Sequence, residues 1–261
     1  DKEESQLHWE IANAYFIFNK DYEAIREASK ALVLSNGQND SAWLTSGLAS
    51  WRRGHFKRAR LFFSNLANLK TARDSIRSMG SYWASRAEYK NNNPKDAIKY
   101  LKISSQYPDT FYGKIAIDAL GYDHNVDFQL PKTSSSFISW LSSQNGGKRA
   151  LALLQVSEFW HADRELRKLY PIVPIKYHLE FMSFASKYGM PSVAYRLADI
   201  QRVETGVKWY GALYPDFPFN KNIEIKNKAL VMSIIRQESR FDQRGKSPAR
   251  AQGLMQILPS T

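Results

Sequence analysis

One acidic side chain near the end of the sequence has the setting of a catalytic acid. Residues 227–241 read NKALVMSIIRQESRF, and their spacing predicts an amphipathic helix with Leu230, Ile234, Glu238 and Phe241 along one stripe. A carboxyl group on an apolar stripe is desolvated, which favours its protonated form and suits it to donate a proton near neutral pH. This pattern makes Glu238 the candidate general acid. On these residues alone, Glu238 also fits a domain-edge residue or the partner of a nearby arginine.

A polar loop and a second apolar element follow this helix. Residues 242–248 have the composition of a loop, and residues 251–259, AQGLMQILP, are expected to form a short second helix ended by proline. A helix, a tight loop and a second helix would fold the polar atoms of Gln256 back toward Glu238, and such a corner lines a groove. The same composition also fits a helix-turn-helix packing unit without a ligand.

The part of the chain that must position this corner has the pattern of paired helices. Apolar and aromatic residues recur at three- and four-residue steps through the first two thirds of the sequence. A turn-forming residue is followed five positions later by alanine, and the first three instances lie 35 and 38 residues apart, near the period of tetratricopeptide-like hairpins. Such hairpins stack into a curved superhelix with a concave binding surface. The four pairs are Asn19 and Ala24, Gly54 and Ala59, Asn92 and Ala97, and Gly189 and Ala194.

The predicted fold class is all-α, with two domains. We expect an α-superhelical scaffold over residues 1–205, interrupted near residues 122–136, where Pro131 and a run of serines break the helical periodicity. The aromatic residues of this scaffold are expected to pack in its core rather than to bind a ligand. A second domain is expected over residues 206–261, which include the helix-breaking Pro215.

Composition excludes several kinds of chemistry. The chain has no cysteine, so it has no disulfide, thiolate zinc site or thiol nucleophile. Its histidines, His8, His55, His124, His161 and His178, lack metal-ligand spacing, so no metal and no cofactor is expected. No apolar run is long enough for a transmembrane segment. The net charge of +12 favours an anionic partner without identifying it.

Two segments together resemble a known enzyme family. Residues 234–242, IIRQESRFD, and residues 247–261, SPARAQGLMQILPST, are similar to the soluble lytic murein transglycosylases, in which Glu-Ser closes a helix and Gly-Leu-Met-Gln follows a serine-containing loop. A looser similarity through residues 81–101 and 107–121 resembles the superhelix that precedes the catalytic domain in that family. The resemblance covers roughly residues 80–261.

The resemblance implies a fold, a reaction and a set of site residues. The second domain would be the first helices of a lysozyme-like catalytic domain. Glu238 would protonate the glycosidic oxygen between N-acetylmuramic acid and N-acetylglucosamine and then act as the base, while the muramic acid 6-hydroxyl attacks its own anomeric carbon to give a 1,6-anhydro product. One carboxyl group would therefore replace the two that ordinary glycosidases use. The implied substrate-binding residues are Ser239, which would support Glu238 or the substrate acetamido group, and Ser247, Gly253, Leu254, Met255 and Gln256.

The sequence departs from the family in two places. Arg250 stands where the family has glycine, and if that position needs a positive φ angle, arginine strains the loop by roughly 1 kcal/mol or more. The sequence ends at Thr261, whereas the family's catalytic domain continues for roughly another hundred residues that complete its groove. We therefore expect this polypeptide to be the opening fragment of the domain, and to be weakly active or inactive alone.

Partners and location follow from the resemblance. Peptidoglycan glycan strands are the expected partner, with cell-wall or envelope proteins as a further class, and the location is the periplasm, with envelope association. The alternative is a non-catalytic helical scaffold that binds peptidoglycan or another protein. A nucleic-acid partner is not expected, because no nucleic-acid motif is visible and acidic residues are interspersed with the basic ones.

Overall fold

The computed structural model describes residues 2–124, 126–217, 219 and 224–261, and within them the regular secondary structure is helical, with two short 3-10 helices at Tyr170–Ile172 and Ile175–Tyr177. The described residues form fourteen α-helices and no β-strand, which confirms the predicted all-α class. No helix in this described part of the chain is both long and apolar enough to cross a membrane.

The chain divides into two compact units, residues 1–125 and residues 126–261. The predicted boundary between residues 205 and 206 stays a prediction. The first unit contains α1 (Lys2–Ile17), α2 (Asp21–Leu34), α3 (Asp40–Arg52), α4 (Phe56–Asn68), α5 (Asp74–Lys90), α6 (Pro94–Ser105) and α7 (Phe111–Ala119). The second contains α8 (Ser135–Ser143), α9 (Asn145–Gln155), α10 (Phe159–Leu169), α11 (His178–Lys187), α12 (Pro191–Thr205), α13 (Tyr210–Leu213) and α14 (Lys228–Glu238).

The turn-and-alanine repeat marks the tight links between paired helices. Its four turn residues all have left-handed backbones, with φ between 58° and 74°, and its four alanines are at most 5% exposed. At Asn19, for example, the following N–H of Lys20 donates to the carbonyl of Tyr15 over 2.9 Å, which closes the end of α1 as in a Schellman motif. The sequence pattern is thus confirmed as a set of short helix-helix links, which suits glycine and asparagine because they tolerate positive φ.

Close helix approach depends on small residues as well as on these turns. A Cβ atom at Gly80 of α5 would lie 2.6 Å from the backbone nitrogen of Ala67 in α4. Beside this contact Phe63 is fully buried, and Trp83 packs between Phe63 and Trp51 with ring centroids 5.8 and 5.3 Å away. These aromatic rings fill the core of the first unit, as expected.

The second unit has its own apolar core under α8 to α13. Phe137, Leu141, Leu166, Phe181, Met182 and Val193 are each at most 1% exposed within it. A smaller cluster joins α14 to this unit through Tyr195 of α12, with Phe217, Ile235 and Phe241 buried around it. The candidate acid Glu238 thus belongs to a helix that is held by α12 and by the chain on either side of it.

Candidate functional site at the end of α14

Helix α14 is anchored at both ends of its buried face. At its start the Asn227 side chain accepts a hydrogen bond from the Leu230 N–H over 3.0 Å, which caps the helix. Near its end the Arg236 guanidinium donates to the carbonyl oxygen of Leu213 over 3.0 Å. The same guanidinium lies 5.0 Å from the ring of Tyr195 and 4.5 Å from the ring of Tyr214, which are cation-π distances.

The expected apolar stripe through Glu238 is wrong. Leu230 is 55% exposed and Glu238 is exposed, whereas Ile235 is 1% exposed. The buried face runs through Val231, Ile235 and Ser239 instead, at four-residue steps. The predicted stripe is displaced by one position from the observed one, and Phe241 reaches the core through the turn that follows α14, which ends at Glu238.

The turn after Glu238 has an unusual backbone. Arg240 and Phe241 both lie in the left-handed region, with φ of 52° and 65°. The chain reverses there, and the Asp242 N–H donates to the Ser239 carbonyl over 3.1 Å. Because each non-glycine residue in this region costs roughly 1 kcal/mol, other contacts must hold the turn. One of them is Phe241, which is 3% exposed and packs 6.0 Å from the ring of Tyr195.

The expected second helix over residues 251–259 is also wrong. The segment is a closed turn in which Gln252 and Ile257 exchange backbone hydrogen bonds of 2.9 and 3.2 Å. Left-handed backbones at Gly253 and Gln256, with φ of 73° and 49°, prevent a helix from continuing. The Gln256 amide nitrogen donates to the carbonyls of Gly245 and Gly253 over 3.1 and 2.8 Å, so this side chain ties the loop to itself.

The remaining candidate residues also make local contacts. The buried Ser239 hydroxyl donates to the Ile235 carbonyl over 3.1 Å, which leaves only its lone pairs for another partner. The Ser247 hydroxyl accepts the N–H of Ala251 over 3.0 Å and so shapes the loop. Leu254 and Met255 are half-buried against the cluster around Ile235. Their assignment to substrate binding stays a prediction.

Arg250 has the positive φ angle that the family's glycine at this position suggested. Its φ angle is 66°, and its N–H donates to the Ser247 carbonyl over 2.9 Å in a tight turn. The Ser247 N–H in turn donates to the Ala251 carbonyl over 3.0 Å. A glycine would adopt this backbone without the Cβ clash, so arginine strains the loop here.

A group of charged side chains beneath the turn was missed by the sequence reasoning. Arg167 of α10 lies within 2.5 Å of the Asp163 carboxylate and 3.4 Å from that of Asp242, and Arg196 of α12 lies 3.9 Å from the same Asp242 oxygen. Burial raises the pKa of Asp163 to about 6, although the charge of Arg167 acts in the opposite direction. The four-residue spacing of Asp163 and Arg167 is visible in the sequence, but the contact of Arg167 with Asp242, 75 residues away, is not.

The C-terminal segment matches a protein family, and the chain resembles known structures in its fold. Residues 219–261 match the family described as Transglycosylase SLT domain. No curated protein sequence matches the chain. The chain is similar in structure to an inactive mutant of the lytic transglycosylase Slt from Pseudomonas aeruginosa, with 19% identity, a TM-score of 0.66, and coverage of 99% of this chain and 41% of that one.

A second solved structure, the 70 kDa soluble lytic transglycosylase from Escherichia coli, aligns with 15% identity and a TM-score of 0.44, covering 98% of this chain and 56% of that one. The chain therefore spans less than two thirds of the length of either protein. The sequence match places Glu238, Ser239 and residues 253–256 within one family segment. Residues 219–261 thus match the Transglycosylase SLT domain family, and the chain as a whole shares the all-α fold of the Pseudomonas aeruginosa Slt structure.

Proposed function

We propose that this protein is a peptidoglycan lytic transglycosylase, a lyase that cleaves the β-1,4 bond between N-acetylmuramic acid and N-acetylglucosamine. The observation that carries the proposal is the match of residues 219–261 to the Transglycosylase SLT domain, because that segment contains both Glu238-Ser239 and the Gly-Leu-Met-Gln run. The Pseudomonas aeruginosa protein with the same fold is itself a lytic transglycosylase.

The proposed reaction needs one carboxyl group and no water. Protonated Glu238 donates its proton to the glycosidic oxygen as the bond to the muramic acid anomeric carbon breaks. The muramic acid 6-hydroxyl then bonds to that carbon and returns its proton to Glu238, which leaves a 1,6-anhydromuramoyl end and an N-acetylglucosamine end. The acid is regenerated, so the sequence of steps balances without a second carboxylate or a cofactor.

The position of Glu238 fits a polymeric substrate. Its carboxyl group is exposed at the last residue of α14, where a glycan strand can reach it. The turn that follows is fixed by buried Phe241, and the loop beyond it is fixed by Gln256. The acid therefore sits on a held backbone, which a positioned proton donor requires.

The charge of the chain and the nature of the substrate support a cell-envelope setting. The net charge of +12 is complementary to an anionic wall polymer. An enzyme that cleaves peptidoglycan must meet the wall, which in bacteria with an outer membrane lies in the periplasm. We propose that location, with peptidoglycan glycan strands as the main partner and envelope proteins as further partners.

A second candidate function is the non-catalytic binding of peptidoglycan or of another protein. The exposure of Glu238 favours it, because catalytic acids that work near neutral pH are ordinarily desolvated. A groove of about 670 Å³ in the first unit would suit such binding, since it combines Phe16, Trp51 and Phe56 with Arg52, Arg86 and Lys90.

The identity of the product separates the two functions. Purified sacculi are incubated with this chain, and with the longest natural polypeptide that contains it, in oxygen-18-labelled water. Mass spectrometry should detect unlabelled 1,6-anhydromuropeptides, which the Glu238→Gln variant does not release. Labelled reducing ends would identify a hydrolase and contradict the proposal. Sedimentation of both polypeptides with sacculi, without any product, would establish the binding function instead.

A further inference from the structure

The backbone that carries Glu238 is tied to α10 and α12 by one arginine side chain. Arg167 has three nitrogen groups, and each of them contacts a different element. Its Nε lies 2.5 Å from the Asp163 carboxylate within α10, its Nη2 donates to the Ser192 hydroxyl of α12 over 2.9 Å, and its Nη1 lies 3.4 Å from the Asp242 carboxylate in the turn. Helices α10 and α12 already pack through apolar residues such as Leu166 and Val193, so their packing does not depend on the Arg167 side chain.

The Asp242 carboxylate is in turn bound into the strained part of the chain. Its Oδ1 accepts the Arg244 N–H over 3.2 Å, while its Oδ2 faces Arg167 and, at 3.9 Å, Arg196. The Asp242 N–H closes the turn by donating to Ser239, the residue next to Glu238. A displacement of Asp242 is therefore transmitted directly to the end of α14.

A second contact joins α10 to the same segment. The Arg244 guanidinium lies 4.3 Å from the ring of Trp160, and Arg164 lies 5.0 Å from the same ring. Trp160, Arg164 and Arg167 follow one another at three- and four-residue steps, so one face of α10 holds residues 242–244. The left-handed backbones of Arg240 and Phe241 explain why such external support is required.

We propose that Arg167 is a positioning residue for the catalytic acid: by linking α10 and α12 to Asp242, it fixes the turn that orients Glu238. The proposal rests on the proposed function for the role of Glu238. Its structural part, the control of the turn by Arg167, stands apart from activity. The two parts can therefore fail separately.

The structural part is tested by hydrogen exchange of residues 239–245 in Arg167→Gln, Asp242→Asn and the double variant. Each single variant should exchange at least about tenfold faster in this segment than the wild type, since a charged hydrogen-bonded contact is lost. The double variant should exchange no faster than the faster single variant, because the contact between Arg167 and Asp242 is already lost in each single variant. Arg149→Gln is the matched control, since Arg149 also pairs with a carboxylate of α10, Glu165 at 2.6 Å, without touching the turn.

The catalytic part is tested by the kinetics of glycan cleavage. Arg167→Gln should lower kcat by about ten- to a hundredfold and leave KM nearly unchanged, because a misplaced acid slows the chemistry more than it weakens binding. Arg167→Lys, which keeps the charge but reaches fewer partners, should recover part of kcat.

Three results would overturn the proposal: unchanged exchange in residues 239–245 of Arg167→Gln, loosening spread equally over α10 and α12, or additive effects in the double variant. If neither this chain nor the longest natural polypeptide that contains it releases product, the proposed function fails, while the exchange data still decide whether Arg167 controls the turn.

Discussion

The buried carboxyl group of Asp163 should make the second unit less stable as the pH rises. Its pKa is about 6 in the folded protein, against an ordinary value of 3.8, because burial disfavours the ionised form. Between these two values the folded state holds a proton that the unfolded state has lost. The free energy of unfolding therefore falls as the pH rises through this window.

The size of the effect follows from the two pKa values. A difference of about two pH units between folded and unfolded pKa corresponds to roughly 3 kcal/mol. Asp163 is 5% exposed, so solvent screening reduces this little. At about pH 4.5 the unfolded carboxyl group is already mostly ionised, so roughly 2 kcal/mol of the effect should appear between about pH 4.5 and about pH 7.5.

The Asp163→Asn variant isolates this contribution from that of other carboxyl groups. Hydrogen exchange of α10 amides, corrected for intrinsic rates, gives the opening free energy of wild type and variant at both pH values. The wild-type value minus the variant value should fall by about 2 kcal/mol from the lower pH to the higher one. A difference that stays constant, or that grows with pH, would refute the reasoning.

Three further expectations concern backbone and packing. Arg250→Gly should raise the free energy of unfolding by about 0.5 to 1 kcal/mol in urea denaturation, because φ is 66° there, and a loss of stability would contradict the strain. Gly80→Ala should lower the melting temperature of the first unit, measured by calorimetry, by several degrees, because the added Cβ would lie 2.6 Å from the Ala67 nitrogen. An unchanged melting temperature would mean that α4 and α5 can move apart at no cost. Ser157→Gly should stabilise the α9-α10 link by about 0.5 to 1 kcal/mol, because Ser157 has a φ of 60°; Ser143→Gly, at a position without positive φ, is the control.

The hairpin architecture was largely readable from the sequence because its signals are local. A left-handed turn residue and a buried alanine lie five positions apart, and both requirements act within one helix-helix link. Two further pairs with the same spacing, Gly37 with Ala42 and Ser157 with Ala162, were missed. Their first residues have φ angles of 75° and 60°, and both alanines are fully buried. Serine is a poor signal for positive φ, so the second pair is hard to see in the sequence.

The site was only partly predictable because its geometry depends on distant contacts. A helix with Glu238 in its last turn was expected, although α14 ends at Glu238 and not at Phe241. The buried face of that helix is set by Tyr195 and Phe217, which the sequence pattern does not reveal. A register error of one position moved Glu238 from the apolar face to solvent. The Arg167 contact with Asp242 joins residues far apart in sequence, so no local pattern could indicate it.

Residues 251–259 do not form the predicted helix because of their backbone angles. The run from Ala251 to Pro259 is apolar enough for a helix, yet Gly253 and Gln256 adopt positive φ, and Gln256 uses its side chain to close the loop. Glycine makes this backbone accessible at one of the two positions, and the side-chain hydrogen bonds offset the cost at the other.

The most direct test of the proposed function is the rate of anhydromuropeptide release from sacculi by the wild type and by Glu238→Gln, with circular dichroism to establish that both are folded. Because Glu238 is exposed, the variant should keep the wild-type melting temperature. Its rate should be at least about a hundredfold lower, the usual contribution of a general acid-base group. Release that proceeds at the same rate in both proteins would show that Glu238 is not the proton donor.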